Sequence, residues 1–354
     1  MMEKHGGDWA GYQEQYGDMP LDFSANVSPL GLPSGVREAA VRALEDASRY
    51  PDPECRALCR RLSEYHGVPA ENIVCGNGAA DLIHRVCRLL RPRRALVPVP
   101  TFGEYENALK GVGCLTRHFP LPEDQDFFPN AESFARAVSD GTELVFLCNP
   151  NNPTGWLYSR EELEIILRAC RKAGTVLVLD ECFLDFTAEP EKNSMIGEIG
   201  RQPELIILKA FTKTYAMAGL RLGYVLCGDK TLAEQLRHGD QPWPVSQIAQ
   251  EAGIAALQER DYVEALRALM AEERPNMQQA LQRLGLRVVP GTANFLLFHC
   301  EEPELCGKLR ERGILLRDCG RMPGLKEGWY RTAVRTAEEN RLLITALEEV
   351  LKDG

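Results

Sequence analysis

The chain has 354 residues, 26% of them charged and 44% hydrophobic, which excludes disordered, collagen-like and membrane compositions and makes two unequal domains the expectation. Forty-one basic against fifty-one acidic side chains leave a net charge of −10, a balance that repels nucleic-acid phosphates and anionic lipid surfaces. The polar start MMEKHGGDWAGYQEQ has no apolar export segment, and no run reaches the roughly eighteen apolar residues of a spanning helix, so a cytoplasmic protein with no membrane partner is expected.

Apolar, β-branched runs at 72–75, 95–99, 143–148, 175–179, 204–208 and 223–227 predict strands. Several are continuously apolar, as in a mostly parallel sheet covered on both faces. Helical patterns at 81–90, 104–111 and 159–173 alternate with them, the last opening on Ser159 with Glu161 and Glu162 in its first turn. This alternation defines an α/β architecture. After Lys230 long charged helices follow, most clearly over 246–284. Strand-like pieces then come at 295–299, 314–316 and 330–334, with a last helix over 338–351. The expected organisation is a large domain over 36–240 and a smaller one made from 1–35 and 241–354. Twelve scattered cysteines form no CxxC pair and read as small apolar side chains; no metal site is expected.

Four segments at strand ends carry chemistry. In AFTKTYAMAGLRLGY (210–224), Lys213 ends a buried run close to Arg221, where an ammonium without a task is poorly placed. An amine in a dry pocket beside cations loses its proton readily, as a Schiff-base lysine must. Arg221 can grip a phosphate. CNPNNPTG (148–155) and Asp180 both lie where open α/β sheets bind ligands, and Asp180 can hold a ring nitrogen protonated. GNGAAD (76–81) lets backbone N–H groups approach an anion at a helix start, and Phe102 can stack on a planar ring. Together these groups describe pyridoxal 5′-phosphate.

FTKTYAMAGLRLGY, CNPNNPTG and DECFLDF resemble the fold-type I pyridoxal-phosphate aminotransferase superfamily, within its histidinol-phosphate aminotransferase-like branch. The resemblance implies a large domain built on a mostly parallel seven-stranded sheet flanked by helices, plus a smaller α+β domain. It makes Lys213 the lysine that bonds the cofactor, pairs Asp180 with the pyridine nitrogen and sets Asn152 against the ring hydroxyl. Phe102 then stacks on the ring, while Gly78, Ala79, Ala80, Thr212 and Arg221 hold the phosphate.

His5-Gly6-Gly7, DFSANVSPLG (22–31), RYPD (49–52), QPWPVS (241–246), PGTANF (290–295) and the tail ILLRDCGRMPGL…WYRTAVRTAEEN resemble that branch's decarboxylating members. This implies decarboxylation of L-threonine O-3-phosphate to aminopropanol phosphate, used for the cobalamin nucleotide loop. The alternative is a histidinol-phosphate or related phospho-amino-acid aminotransferase using 2-oxoglutarate. By the same resemblance Arg331 binds the substrate carboxylate, and Arg317, His5, Asn26 and Tyr50 bind or close over its phosphate. Tyr50 then comes from the neighbouring subunit of a homodimer. Phe183 stands where the aminotransferases carry Tyr, and Ala210 where the family places a hydroxyl residue. Arg335 is expected in an ion pair and Trp243 in loop packing.

Overall fold

The computed structural model describes residues 6–139, 141–239 and 241–352. The chain opens with the helix Trp9–Tyr16 and a two-residue strand, β1 (Leu21–Asp22). Helices Ser34–Ala43 and Arg56–His66 lead into a run of seven strands. These are β2 (Ile73–Gly76), β3 (Arg94–Val99), β4 (Leu115–Pro120), β5 (Leu144–Cys148), β6 (Val176–Asp180), β7 (Leu205–Ala210) and β8 (Gly223–Cys227). They form one sheet in the order β2-β8-β7-β6-β5-β3-β4. All neighbours are parallel except β8, which runs antiparallel to both β2 and β7.

Every residue of β2, β5, β7 and β8 is buried, which is why these segments read as continuous apolar runs. The edge strand β4 is different. Its residues LTRHFP are half-buried or exposed, so no apolar run marked it. The helix Arg160–Ala173 has the expected capping box between Ser159 and Glu162, and Gly174 closes it in the left-handed conformation.

The stretch expected as the clearest long helix, 246–284, is two helices, Gln247–Ala256 and Arg260–Arg283. The first packs on Ser34–Ala43 and Arg56–His66, so closely that a Cβ on Gly253 would lie 3.2 Å from Leu58 of the second of these helices. Its alanines join the core on one face of the large sheet. The second carries Leu266, Met270, Met277 and Leu281 into a separate core under the C-terminal sheet.

That second sheet contains β9 (Arg287–Val288), β10 (Phe295–His299), β12 (Arg317–Asp318) and β13 (Trp329–Ala333) in the order β12-β13-β10-β9. Meanwhile β11 (Ile314–Leu315) pairs in parallel with β1, Leu21 opposite Ile314. The helix Ala337–Lys352 closes this core. Antiparallel pairing sets Arg317 directly opposite Arg331. Among the described residues no helix is long and apolar enough to cross a membrane.

Candidate active site

A cavity of about 400 Å³ lies at the carboxyl ends of β5, β6 and β7. The large sheet contributes Cys148, Asp180 and Ala210, the turn after β7 adds Thr212 and Lys213, and the start of helix Ala79–Leu90 adds Ala79 and Ala80. Phe102, Asn152 and Arg221 border the same space, and Gly6, Asn26, Arg317 and Arg331 close it from the other side. The sequence-predicted residues therefore converge, with three exceptions. Gly78 sits just behind the lining, Tyr50 lies outside this chain's cavity, and His5 falls outside the described residues. Tyr50 is 78% exposed and stacks on Trp243 with ring centroids 4.3 Å apart.

Lys213 belongs to the one-turn helix Phe211–Thr214 directly after β7. Removal from water, then the nearby Arg331 guanidinium, brings its amine down to about 8, with Arg221 adding to the effect and Asp180 opposing it. Asp180 ends β6 and is 4% exposed. Tyr105 donates to its Oδ2 at 2.6 Å and the Cys182 N–H to its Oδ1 at 2.9 Å. Burial pushes this carboxyl up, and the Cys182 thiol, the Tyr105 phenol and the Cys182 N–H act against the push.

The phosphate end is shaped by backbone. Gly78, at φ +85°, caps the helix Ala79–Leu90, and a Cβ there would lie 2.7 Å from Arg221 Nη2. A Cβ on Gly223 would stand 2.8 Å from the Ala79 nitrogen. Both glycines keep open a cradle where N–H groups at a helix start and a guanidinium meet, which suits a phosphate dianion.

At the opposite end Arg331, 7% exposed, donates from Nη1 to Asn152 Oδ1 at 2.5 Å and from Nη2 to the Ser24 carbonyl at 2.8 Å. With its amide oxygen facing the guanidinium, Asn26 accepts from Arg331 Nε at 3.2 Å. Ser24 is itself held by Asp22, at 2.6 Å from hydroxyl to carboxylate, and accepts the Gly7 N–H at 2.8 Å. Arg335 makes the expected ion pair, with Glu339 at 2.6 Å. Phe183 packs edge-on against Phe295, centroids 5.0 Å apart.

Sequence reasoning missed Tyr105 and Ser24. Tyr105 lies in the first turn of the helix Glu104–Gly111, and its ring meets that of Phe102, just before the helix, edge-on at 5.5 Å. Ser24 had no signal beyond its place in DFSAN.

A readily deprotonated amine, a buried carboxylate lining the same cavity and a phosphate cradle at one helix start suit a single cofactor. The fold and the cavity define a pyridoxal-phosphate-dependent enzyme of fold type I. The model of the family "aminotransferase class I and II" matches residues 18–347, and the chain belongs to that family. It is 39% identical to threonine-phosphate decarboxylase from Salmonella typhimurium over 337 residues, 94% of this chain and 92% of that protein. It is 35% identical to histidinol-phosphate aminotransferase from Desulfitobacterium hafniense, covering 93% and 91%. Among solved structures, L-threonine-O-3-phosphate decarboxylase from Porphyromonas gingivalis superposes with a TM-score of 0.81 at 26% identity, covering 93% of this chain and 99% of that one. Histidinol-phosphate aminotransferase from Sinorhizobium meliloti, in complex with pyridoxal-5′-phosphate, superposes with a TM-score of 0.89 at 25% identity, covering 99% and 96%.

Proposed function

We propose that the protein decarboxylates L-threonine O-3-phosphate to aminopropanol phosphate for the cobalamin nucleotide loop. The observation that carries this reading is the pair Arg317 and Arg331, both buried, opposite one another on adjacent strands and both lining the cavity above Lys213. Two buried guanidiniums suit a substrate with two anionic groups, a carboxylate and a phosphate. The similarity to threonine-phosphate decarboxylases supports the same substrate.

The cofactor supplies the electron sink for the bond broken at the substrate α-carbon. Asp180, whose charge is supported by Cys182 and Tyr105, would hold a proton on the ring nitrogen. Lys213, whose amine is brought down to about 8 and so gives up its proton far more readily than a free lysine, would form the covalent link to the cofactor and is placed to return a proton to the α-carbon. Arg331 takes the carboxylate and Arg317, with Asn26 and His5, the phosphate. This two-point grip fixes rotation about the bond between the α-carbon and its nitrogen, and that rotation selects whether CO₂ or a proton leaves. Ala79, Ala80, Thr212 and Arg221 would hold the cofactor phosphate, Asn152 its ring hydroxyl and Phe102 one face of its ring.

The working unit in this reading is a cytoplasmic homodimer. Val41, Leu44, Tyr50 and Trp243 are all exposed, an apolar surface of the kind a second copy covers, and Tyr50 would enter the neighbouring cavity.

The test is mass spectrometry of the products formed by cofactor-loaded protein from O-phospho-L-threonine, with and without 2-oxoglutarate. Aminopropanol phosphate formed without the oxo acid is the expected result. Glutamate formed from histidinol phosphate and 2-oxoglutarate, with no CO₂ released from phosphothreonine, would overturn the reading in favour of the aminotransferase.

A further inference from the structure

Asp180 must be anionic to keep a proton on the cofactor's ring nitrogen, yet it sits fully buried at a strand end, where desolvation favours its neutral form. Among the described residues two side chains and one backbone group support its charge. The Cys182 thiol and N–H lie beside it, the N–H donating to Oδ1 at 2.9 Å, and the phenol of Tyr105 donates to Oδ2 at 2.6 Å. We infer that Tyr105 is a positioning residue that keeps Asp180 ionised and aimed at the cofactor ring nitrogen.

The placement of the ring supports this. Tyr105 is completely buried, stacks on Phe146 of β5 with centroids 4.8 Å apart and planes 8° from parallel, and meets Phe102 edge-on at 5.5 Å. Two aromatic neighbours therefore fix where the hydroxyl points. Burial and the adjacent Asp180 charge push the phenol up, so it stays a donor through the working pH range. A carboxylate has about four acceptor directions. Tyr105 takes one on Oδ2 and Cys182 one on Oδ1, which leaves acceptor capacity for the ring N–H. One aromatic residue thus touches both the side chain that would stack on the cofactor and the carboxylate that would protonate it.

Losing the phenol raises the proton affinity of Asp180 and shifts the shared proton away from the ring nitrogen. A less protonated ring withdraws less charge from the Lys213 nitrogen, whose own proton is then held to higher pH. The inference rests on pyridoxal phosphate binding in this cavity and not on which substrate is turned over, and its readout needs no substrate.

The experiment compares wild type, Tyr105→Phe, Asp180→Asn and the double variant, each loaded with pyridoxal phosphate, by pH titration of the visible absorbance band and by cofactor dissociation constant. Phe keeps both ring contacts and loses only the hydroxyl. Tyr105→Phe should move the midpoint up by about one unit and weaken cofactor binding roughly tenfold. In the Asp180→Asn background the same change should have no further effect. An unchanged midpoint in Tyr105→Phe, or an equal shift in both backgrounds, would overturn the inference. Should Tyr105→Phe fail to fold, 3-fluorotyrosine placed at 105 settles the matter. Its stronger donor should move the midpoint down, and no movement refutes the role. A wild-type protein that takes up no cofactor would overturn the cofactor assignment and this inference together.

Discussion

Lys209 and Lys213 are four residues apart around the end of β7, and the protein treats them in opposite ways. Lys209, the penultimate residue of the strand, does not line the cavity that its neighbour Ala210 lines. It donates to Asp185 at 3.0 Å and has Glu181 at 4.0 Å, and these carboxylates hold its charge more firmly than water would. Asp185 also accepts from Thr214, the neighbour of Lys213, at 3.2 Å. Lys213, past the strand end, faces the cavity beside Arg331 and Arg221 and is brought down to about 8. Both are desolvated, so burial does not separate them. The sign of the nearest charges does. Asp180 and Glu181 divide the same way because consecutive strand-end residues point to opposite faces: one faces the cavity, the other Lys209. A firmly charged lysine pins the turn on which a readily deprotonated one is presented.

Three substitutions probe that contrast, beginning with the largest effect. Replacing Lys213 with Met should abolish turnover, a loss of more than about 10³-fold, and remove the visible band of the loaded protein. It should also change how the cofactor-free protein responds to pH. Between pH 8 and 10.5 the unfolded chain binds a proton at Lys213 that the folded chain does not. Stability from this residue therefore rises with pH across that window. Buried thiols and phenols contribute an opposite slope in both proteins, so the difference between their urea midpoints carries the effect: it should move in favour of wild type from the lower to the upper end of the window.

Replacing Lys209 with Met leaves Asp185 and Glu181 without their shared cation. Its cost should be about 3–5 kcal/mol of unfolding free energy, read by denaturant titration. If stability is unchanged and turnover is lost, Lys209 is part of the chemistry and the contrast is wrong. Replacing Ala210 with Ser restores a hydroxyl on the cavity wall. It should tighten cofactor binding about fivefold, by equilibrium dialysis, with little change in stability.

The cofactor end of the site was legible in the residues because its parts follow buried apolar strands, and position at a strand end already says where a side chain points. Lys213, Asp180, Asn152 and the glycines at 76 and 78 are all of this kind. The edge strand β4 was not legible, since Leu115–Pro120 carries Arg117 and His118 and shows neither an apolar run nor clean alternation. The break between the helices ending at Ala256 and starting at Arg260 was hidden for another reason: the charged, helix-favouring composition continues through it. Tyr105 could not be assigned a partner from spacing, because its hydroxyl meets Asp180 only after β3, β5 and β6 are stacked side by side. The Arg331 contacts with Asn152 and Ser24 depend in turn on how the C-terminal sheet lies over the large one.

The cavity draws on chain positions as far apart as Gly6 and Arg331, and β1 has its partner in β11. On a ribosome this imposes an order. Every residue expected to hold the cofactor, from Gly78 to Arg221, is made well before Ile314, Arg317 and Arg331 exist. At roughly 5–20 residues per second, a nascent chain passes several seconds with the cofactor cradle's parts complete and the substrate wall absent. The N-terminal segment is translated first, yet its contacts with β11 and with Arg331 cannot form until the last part of the chain has been made.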